Sequence, residues 1–184
     1  MLKILQTTFL LFISLVTLLI SGCSSQTEYR FDQDYDFSQV KTYGIFPRES
    51  KFSDIQHLSD FQRNRIEISI ENVMEQRNFS YAEYEKADVV VSYFWVGRSL
   101  QELREYNKGV KACLGCSPSE QQDLNKDIKS SMLIIDIIDN ANQRSVYRSF
   151  VKIKLKEGNS SDENNDLIIE AVAEMLANFP PESV

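Results

Sequence analysis

The three cysteines are the residues of this chain whose types and surroundings predict chemistry most directly. Cys23 follows Ile20-Ser21-Gly22 at the end of an uncharged apolar stretch over residues 4–20, and this junction resembles a bacterial lipobox. An apolar run that ends at small residues is typical of a cleaved export signal. The small residues fit the groove of a peptidase, and the cysteine thiol is the nucleophile that accepts diacylglycerol. We therefore expect residues 1–22 to be removed as a signal peptide, Cys23 to carry the lipid and residues 23–27 to form a tether.

An uncleaved transmembrane helix is the alternative for this segment, because the apolar run approaches the ~20 residues that span a bilayer. Such a helix needs neither small residues nor a cysteine at its exit, so the sequence favours cleavage and lipidation. Acyl chains contribute about 0.8 kcal/mol per buried CH₂ and anchor a protein without any helix. Ser24 stands where an aspartate retains lipoproteins at the inner membrane of enteric-type bacteria. The sequence thus predicts a lipid anchor at the outer membrane, facing the periplasm.

Cys113 and Cys116 form a Cys-x-x-Cys motif and are the two thiols that remain once Cys23 is acylated. In an oxidising compartment we expect them to form a disulfide that pins the surrounding loop. The alternative is thiol-redox activity, because residues 117–120 (SPSE) resemble the start of a helix that would lower the pKa of Cys116. A zinc site would need two further ligands, and His57 is the only histidine.

Three alternating aspartates near the start of the mature chain imitate a calcium-binding loop. Asp32, Asp34 and Asp36 have the spacing of its first three ligands. However, Phe37 stands where the loop requires glycine and Tyr43 where it requires the closing glutamate. We therefore expect a turn with acidic side chains and no metal.

Asp136 interrupts an apolar strand pattern, since it lies between Ile134-Ile135 and Ile137-Ile138. We expect a half-buried acid at this position. Such an acid could exchange protons through a raised pKa, but it is more often satisfied by a neighbour. Ser145, Tyr147 or an arginine are the candidate partners.

The composition limits the possible functions. The formal net charge of −7 becomes −8 when the signal peptide and its Lys3 are removed, and this acidic balance argues against a nucleic-acid partner. Hydrophobic residues make up 42% and aromatic residues 11% of the chain, which predicts one folded domain rather than disorder. The sequence has no nucleophile elbow and no phosphate-binding loop, so we expect neither catalysis nor a cofactor.

Hydrophobic periodicity predicts the elements that position these residues. Five strands are predicted over residues 28–31, 40–46, 87–96, 131–139 and 144–155. One helix begins at the capping box of Ser59 and ends near Asn78, and a second spans residues 166–179 before Pro180. Residues 98–130 form a polar, irregular insert that contains the Cys-x-x-Cys motif.

The order β-β-α-β-loop-β-β-α predicts a single α+β domain over residues 28–184. A short link between the last two strands makes them an antiparallel hairpin. We expect a mixed, mostly antiparallel sheet of four or five strands, with both amphipathic helices packed on one face.

Four segments of the mature chain resemble, in order, a known bacterial lipoprotein family. They are residues 34–43 (DYDFSQVKTY), 87–93 (ADVVVSY), 133–139 (LIIDIID) followed by 146–148 (VYR), and 175–181 (MLANFPP). The family is the domain of unknown function 4136 (DUF4136). The resemblance implies an outer-membrane lipoprotein domain and implies no active site.

Together these features predict a non-catalytic binding or scaffolding module of the cell envelope. Its partner would be another envelope protein or a cell-wall component, reached from the membrane through the lipid on Cys23. The alternative is a periplasmic thiol-redox protein or enzyme that uses Cys113 and Cys116.

Overall fold

The computed structural model describes residues 27–50, 55–97, 100–112, 119, 126–153 and 161–182. The strands are β1 (Glu28–Phe31), β2 (Thr42–Ile45), β3 (Ser80–Tyr81), β4 (Val89–Trp95), β5 (Met132–Asp139) and β6 (Arg144–Lys152). The helices are α1 (Asp60–Gln76), α2 (Leu100–Gly109) and α3 (Ser161–Met175), with a 3-10 turn at Phe37–Gln39. Within the described ranges, no helix combines the length and the apolar character that a membrane crossing requires.

The six strands form one mixed sheet in the order β1-β6-β5-β4-β2-β3. The pairs β1-β6, β6-β5 and β5-β4 are antiparallel, whereas β2 pairs parallel with both β4 and β3. The prediction of a mixed α+β sheet is confirmed, with six strands instead of four or five. The additional strand is β3, whose two exposed residues are too few to show a periodicity.

β5 is buried along its whole length, because the sheet is covered on both faces. On one face α1 and α3 pack against each other and bury the first core, to which Ile70 and Val172 belong. On the other face α2 buries the second core, through Leu103 and Tyr106. Alternate side chains of β5 enter the two cores in turn.

The expected placement of two helices on one face is confirmed for α1 and α3, but the irregular insert predicted over residues 98–130 contains a helix. α2 turns only a narrow stripe toward the sheet, formed by the buried Leu103 and Tyr106, and the buried Val110 follows directly after the last residue of the helix. The rest of that helix is polar, so the helical spacing of its buried residues was not recognised in the sequence. Nevertheless, these three side chains cover the second face.

The predicted ends of α1 are confirmed. Ser59 accepts a hydrogen bond from the Gln62 N–H while the Gln62 side chain accepts from the Ser59 N–H, which completes the capping box. Asn78 ends the helix with a φ of 67°, a left-handed conformation that asparagine tolerates. α3 begins five residues before its predicted start and ends at Met175. The segment after α3 is tied to the end of α1, because the Arg77 side chain donates to the carbonyl of Phe179 at 2.7 Å.

Candidate functional site

An open cleft of about 550 Å³ lies where β1 ends, and we call it the acidic cleft. It combines aromatic and proline side chains with four carboxylates, and none of the described residues that line it is a lysine or arginine. The lining residues are Phe31, Asp32, Gln33, Asp34, Tyr35, Asp36, Phe37, Ser38, Pro180, Pro181 and Glu182.

Hydrogen bonds within the loop hold two of its three aspartates in place. Asp32 accepts from the Asp34 N–H at 3.0 Å and pairs with the Arg144 guanidinium at 2.6 Å. Asp36 caps the 3-10 turn, and hydrogen bonds from the Ser38 hydroxyl and N–H lower the pKa of its carboxyl. The expectation of an acidic turn between two strands agrees with this geometry. Asp34 is exposed, and its carboxylate has no hydrogen bond or ion pair with the described residues.

The aromatic side of the cleft is continuous with the first core. The ring of Phe37 meets Tyr35 edge-on at 4.8 Å and Phe179 at 5.9 Å between centroids. Phe179 is fully buried and also contacts Tyr147 at 5.3 Å. The cleft therefore has a rigid aromatic wall, because the rings that line it rest on packed core residues.

A second concavity of about 420 Å³ adjoins the cleft, and Tyr35 lines both. We call it the carboxylate notch. Its acids are Glu85, Asp88 and Asp139, so the two concavities together present seven carboxylates. Burial raises the pKa of Tyr35 to about 12, with a further contribution from the negative charges of Asp139 and Asp88.

Asp88 connects the starts of the two parallel strands at the notch. Its carboxylate accepts from the N–H of Lys41 at 2.9 Å and from the N–H of Thr42 at 2.8 Å. Its own N–H donates to the Thr42 hydroxyl at 2.9 Å. The backbone hydrogen bond from Lys41, followed by those from Thr42, lowers the pKa of this carboxyl although partial burial opposes the shift. Asp88 thus holds the starts of β2 and β4 together in addition to contributing a negative charge to the notch.

Asp136 lies on the opposite face of the sheet and is completely buried, not half-buried as the sequence suggested. Its cross-strand neighbours are Ser92 on β4 and Arg148 on β6. Arg148 donates to both carboxylate oxygens, from Nε at 2.9 Å and from Nη2 at 3.0 Å. Tyr106 of α2 donates at 2.9 Å and Ser145 at 2.5 Å. The reason for the full burial is that α2 covers this face, which the sequence did not predict.

Two of the three partners predicted for Asp136 are confirmed. Ser145 and an arginine contact it, whereas Tyr147 faces the first core and donates to the carbonyl of Met175 at 2.8 Å. A register shift in β6 next to Tyr147 is responsible, because it places that side chain on the other face of the sheet.

The negative charge of Asp136 is balanced within its own network by the positive charge of Arg148. Burial would lower the pKa of Arg148, but the charge of Asp136 and their hydrogen bonds outweigh it, so this pKa is raised. The pKa of Tyr106 is raised well above its usual value, first by burial and then by the charge of Asp136. Both side chains therefore keep their protons. Four donors converge on one enclosed carboxylate, an arrangement that fixes α2 on the sheet and offers no free oxygen to a substrate.

The remaining predicted site residues are the cysteines. Cys23, Cys113 and Cys116 lie outside the described residues, so lipidation and the disulfide stay predictions. His57 pairs with Glu102 of α2 through Nε2 and Oε1 at 3.0 Å.

Sequence reasoning singled out the aspartate loop but missed the other carboxylates that share its end of the molecule. Asp88, Asp139 and Glu182 belong to three distant segments, and the strand order brings them next to residues 32–38. No local pattern carries that information. The only usable signal was the Asp-Tyr-Asp-Phe motif, whose aromatic residues become the wall of the cleft.

Comparison with known proteins places the chain in a family. The family model "Domain of unknown function (DUF4136)" matches residues 27–181. A DUF4136 family protein from Bacteroides thetaiotaomicron superimposes with a TM-score of 0.59 at 14% identity, over 86% of this chain and 97% of that one. A PDZ domain protein from Parabacteroides distasonis superimposes with a TM-score of 0.51 at 14% identity, over 87% of this chain and 36% of that one. No curated protein shows significant sequence similarity. Because the family model covers most of the sequence, this chain belongs to the DUF4136 family.

Proposed function

We propose that this DUF4136 protein is a non-catalytic binding module of the bacterial cell envelope. Cys23 anchors it through lipid to the outer membrane, and the domain faces the periplasm. Its acidic cleft meets another envelope protein or a cell-wall component. The observation that carries the proposal is the cleft itself, which joins a rigid aromatic wall to exposed carboxylates.

The direction of β1 supports this arrangement. The strand starts directly after the tether and ends at Phe31, the first residue that lines the cleft. Four strand residues extend over about 13 Å at ~3.3 Å each. The cleft therefore lies at the end of this strand that is farther along the chain from the proposed lipid.

The environment of Asp136 supports a binding role over a catalytic one. This is the acid that the sequence singled out for proton transfer, and it is enclosed and occupied by donors from Arg148, Tyr106 and Ser145. Exposed acids such as Asp34, Glu85 and Glu182 line the cleft and the notch, where they are suited to hold a charged ligand.

Membrane fractionation tests the anchor. The full chain should incorporate labelled palmitate and sediment with outer membranes, whereas Cys23→Ser should incorporate none and leave the membrane. In an enteric host, Ser24→Asp serves as the matched control, because it should keep the lipid and move the protein to the inner membrane. Palmitate in the Cys23→Ser variant would contradict the assignment of this residue.

Crosslinking in cells tests the binding role. A photoreactive residue at Gln33, which lines the cleft, should capture the same envelope component repeatedly. The matched position is Glu105, which is exposed on α2 and remote from the cleft in the fold. Capture that is equal at the two positions would refute a partner at the cleft.

A further inference from the structure

We propose that the acidic cleft and the carboxylate notch together bind an extended lysine- or arginine-rich segment of a partner protein. This inference rests on the proposed binding function and adds the chemistry of the ligand. Its basis is the combination of a continuous concave surface, carboxylates without partners and an aromatic wall.

The surface is continuous because Tyr35 lines both concavities. The cleft encloses about 550 Å³ and the notch about 420 Å³, and both are open to solvent along the surface. An elongated ligand can therefore pass from one to the other across the ring of Tyr35. Such a shape suits an extended polypeptide segment better than a compact ion.

Three of the seven carboxylates are free to take a new cation. Asp34, Glu85 and Glu182 are exposed and make no hydrogen bond or ion pair with other described residues. The other four are held by backbone N–H groups, neighbouring side chains or Arg144. A basic ligand can thus pair with the free acids without breaking a contact on which the loop depends.

The aromatic wall favours cations that are carried on long alkyl side chains, as in lysine and arginine. A guanidinium or ammonium group within about 6 Å of a ring face is attracted by its quadrupole. Tyr35 and Phe37 supply rings beside the acids, and Pro180 and Pro181 supply apolar surface for the alkyl part of a lysine or arginine. The surface of α1 already shows the same chemistry within the chain, where the Arg65 guanidinium lies 5.0 Å from the ring of the exposed Phe61.

A bare metal ion fits this surface less well than a polypeptide. The free acids come from three separate segments, and within the described residues no group of three acids, histidines or cysteines is arranged to hold a metal. The charge is spread along the surface instead of converging on one point. A spread of negative charge steers and holds a ligand whose positive charges are themselves spaced along a chain.

Peptide binding to the full chain, purified with its lipid in a non-ionic detergent, tests the inference. The probe is a short fluorescent peptide that alternates arginine and serine, and the comparison peptide alternates glutamate and serine. We expect the arginine peptide to bind, more weakly as salt is added, and the glutamate peptide not to bind. The double variant Asp34→Asn with Glu182→Gln should bind the arginine peptide at least about fivefold more weakly, the scale of two exposed ion pairs.

The matched control carries the same charge change elsewhere. Glu105→Gln with Glu170→Gln alters exposed acids on α2 and α3 and should bind within about twofold of the unchanged protein. Equal weakening in both double variants would show a net-charge effect and overturn the site. Competition by spermidine as strong as by the peptide would overturn the assignment to a polypeptide. Failure of peptide binding while Gln33 still captures a partner in cells would reject the basic segment and leave the binding function in place.

Discussion

Replacing Asp136 by asparagine should be among the most destabilising polar substitutions in this domain. Arg148, Tyr106 and Ser145 direct four donor groups at the carboxylate, which is fully buried. Asparagine keeps the shape but offers one acceptor oxygen and turns an NH₂ group toward donors. It also leaves the Arg148 guanidinium, whose side chain is 4% exposed, without a counter-charge.

The magnitude follows from the pair geometry. Two unit charges about 4 Å apart attract by about 4 kcal/mol at an effective dielectric constant near 20. Breaking a buried pair by removing one partner costs about 3–5 kcal/mol, because the remaining charge stays desolvated. We therefore expect Asp136→Asn to lose about 3–5 kcal/mol of the free energy of unfolding, a large part of the ~5–15 kcal/mol that holds a domain.

Urea denaturation measures this loss. The chain has one tryptophan, Trp95 at the end of β4, so its fluorescence reports on the sheet beside the network. Far-UV circular dichroism should give the same midpoint if unfolding is two-state. The matched control is Asp127→Asn, which removes the partner of Arg30 in a pair with side chains 41% and 43% exposed. Its loss should stay within about 1 kcal/mol.

A double substitution separates the pair from its surroundings. Asp136→Leu with Arg148→Met removes both charges and keeps apolar volume, and the Tyr106 hydroxyl retains the Ser92 oxygen at 3.2 Å. The double variant should be clearly more stable than the summed losses of Asp136→Leu and Arg148→Met predict, because it leaves neither charge buried without its partner. A free energy of unfolding of Asp136→Asn within about 1 kcal/mol of that of the unchanged protein would refute the buried ion pair as a major source of stability. Losses of Asp136→Leu and Arg148→Met that simply add in the double variant would refute the coupling between the two charges.

Three further predictions concern local contacts. Asp88→Ala should lose about 1 kcal/mol at neutral pH, since it removes partly exposed bonds to Lys41 and Thr42. The pKa of Asp88 is lowered in the folded state, so its contribution to stability is present above the ordinary pKa of 3.8 and is lost as the pH falls through the folded-state pKa. Urea titrations should therefore give variant and parent the same free energy of unfolding in acid. A difference in free energy that stays constant with pH would contradict this. Ser59→Ala should lose about 1 kcal/mol through the capping box, whereas Ser59→Asp should retain most of it, as thermal melts can check. Asn78→Gly should preserve or slightly raise stability, whereas Asn78→Ala should lose about 1 kcal/mol at its φ of 67°; equal melting temperatures would count against the left-handed conformation.

Much of the fold follows from patterns that the chain shows over a few residues. The capping box at Ser59, the asparagine at position 78 and the apolar run of β4 each reflect interactions within one element, and each has the predicted role. The hairpin of β5 and β6 follows from its short link in the same way. Asp32, Asp34 and Asp36 also indicated an acidic turn, because an aspartate-rich loop between two strands is a local feature.

The sites depended on contacts between distant parts of the chain. Arg148, which neutralises Asp136, lies 12 residues away, and Tyr106 lies 30 residues away. Phe31 and Pro180 line the same cleft only because β1 pairs with β6 and the chain after α3 returns to that edge of the sheet. α2 was missed for a related reason, since its two buried side chains, Leu103 and Tyr106, mark a helix only when there is a sheet face for them to cover.

By itself the sequence determined the types of most elements and the acidic loop, because short-range sterics, capping and periodicity are encoded residue by residue, and the lipid anchor at Cys23 stays a prediction from the same sequence. Tertiary structure alone decided that Asp136 is buried beneath α2 with Arg148 as its counter-charge, and that seven carboxylates line two adjoining concavities that share Tyr35. Burial and electrostatic field are properties of everything that surrounds a side chain, and strand order and helix packing determine those surroundings.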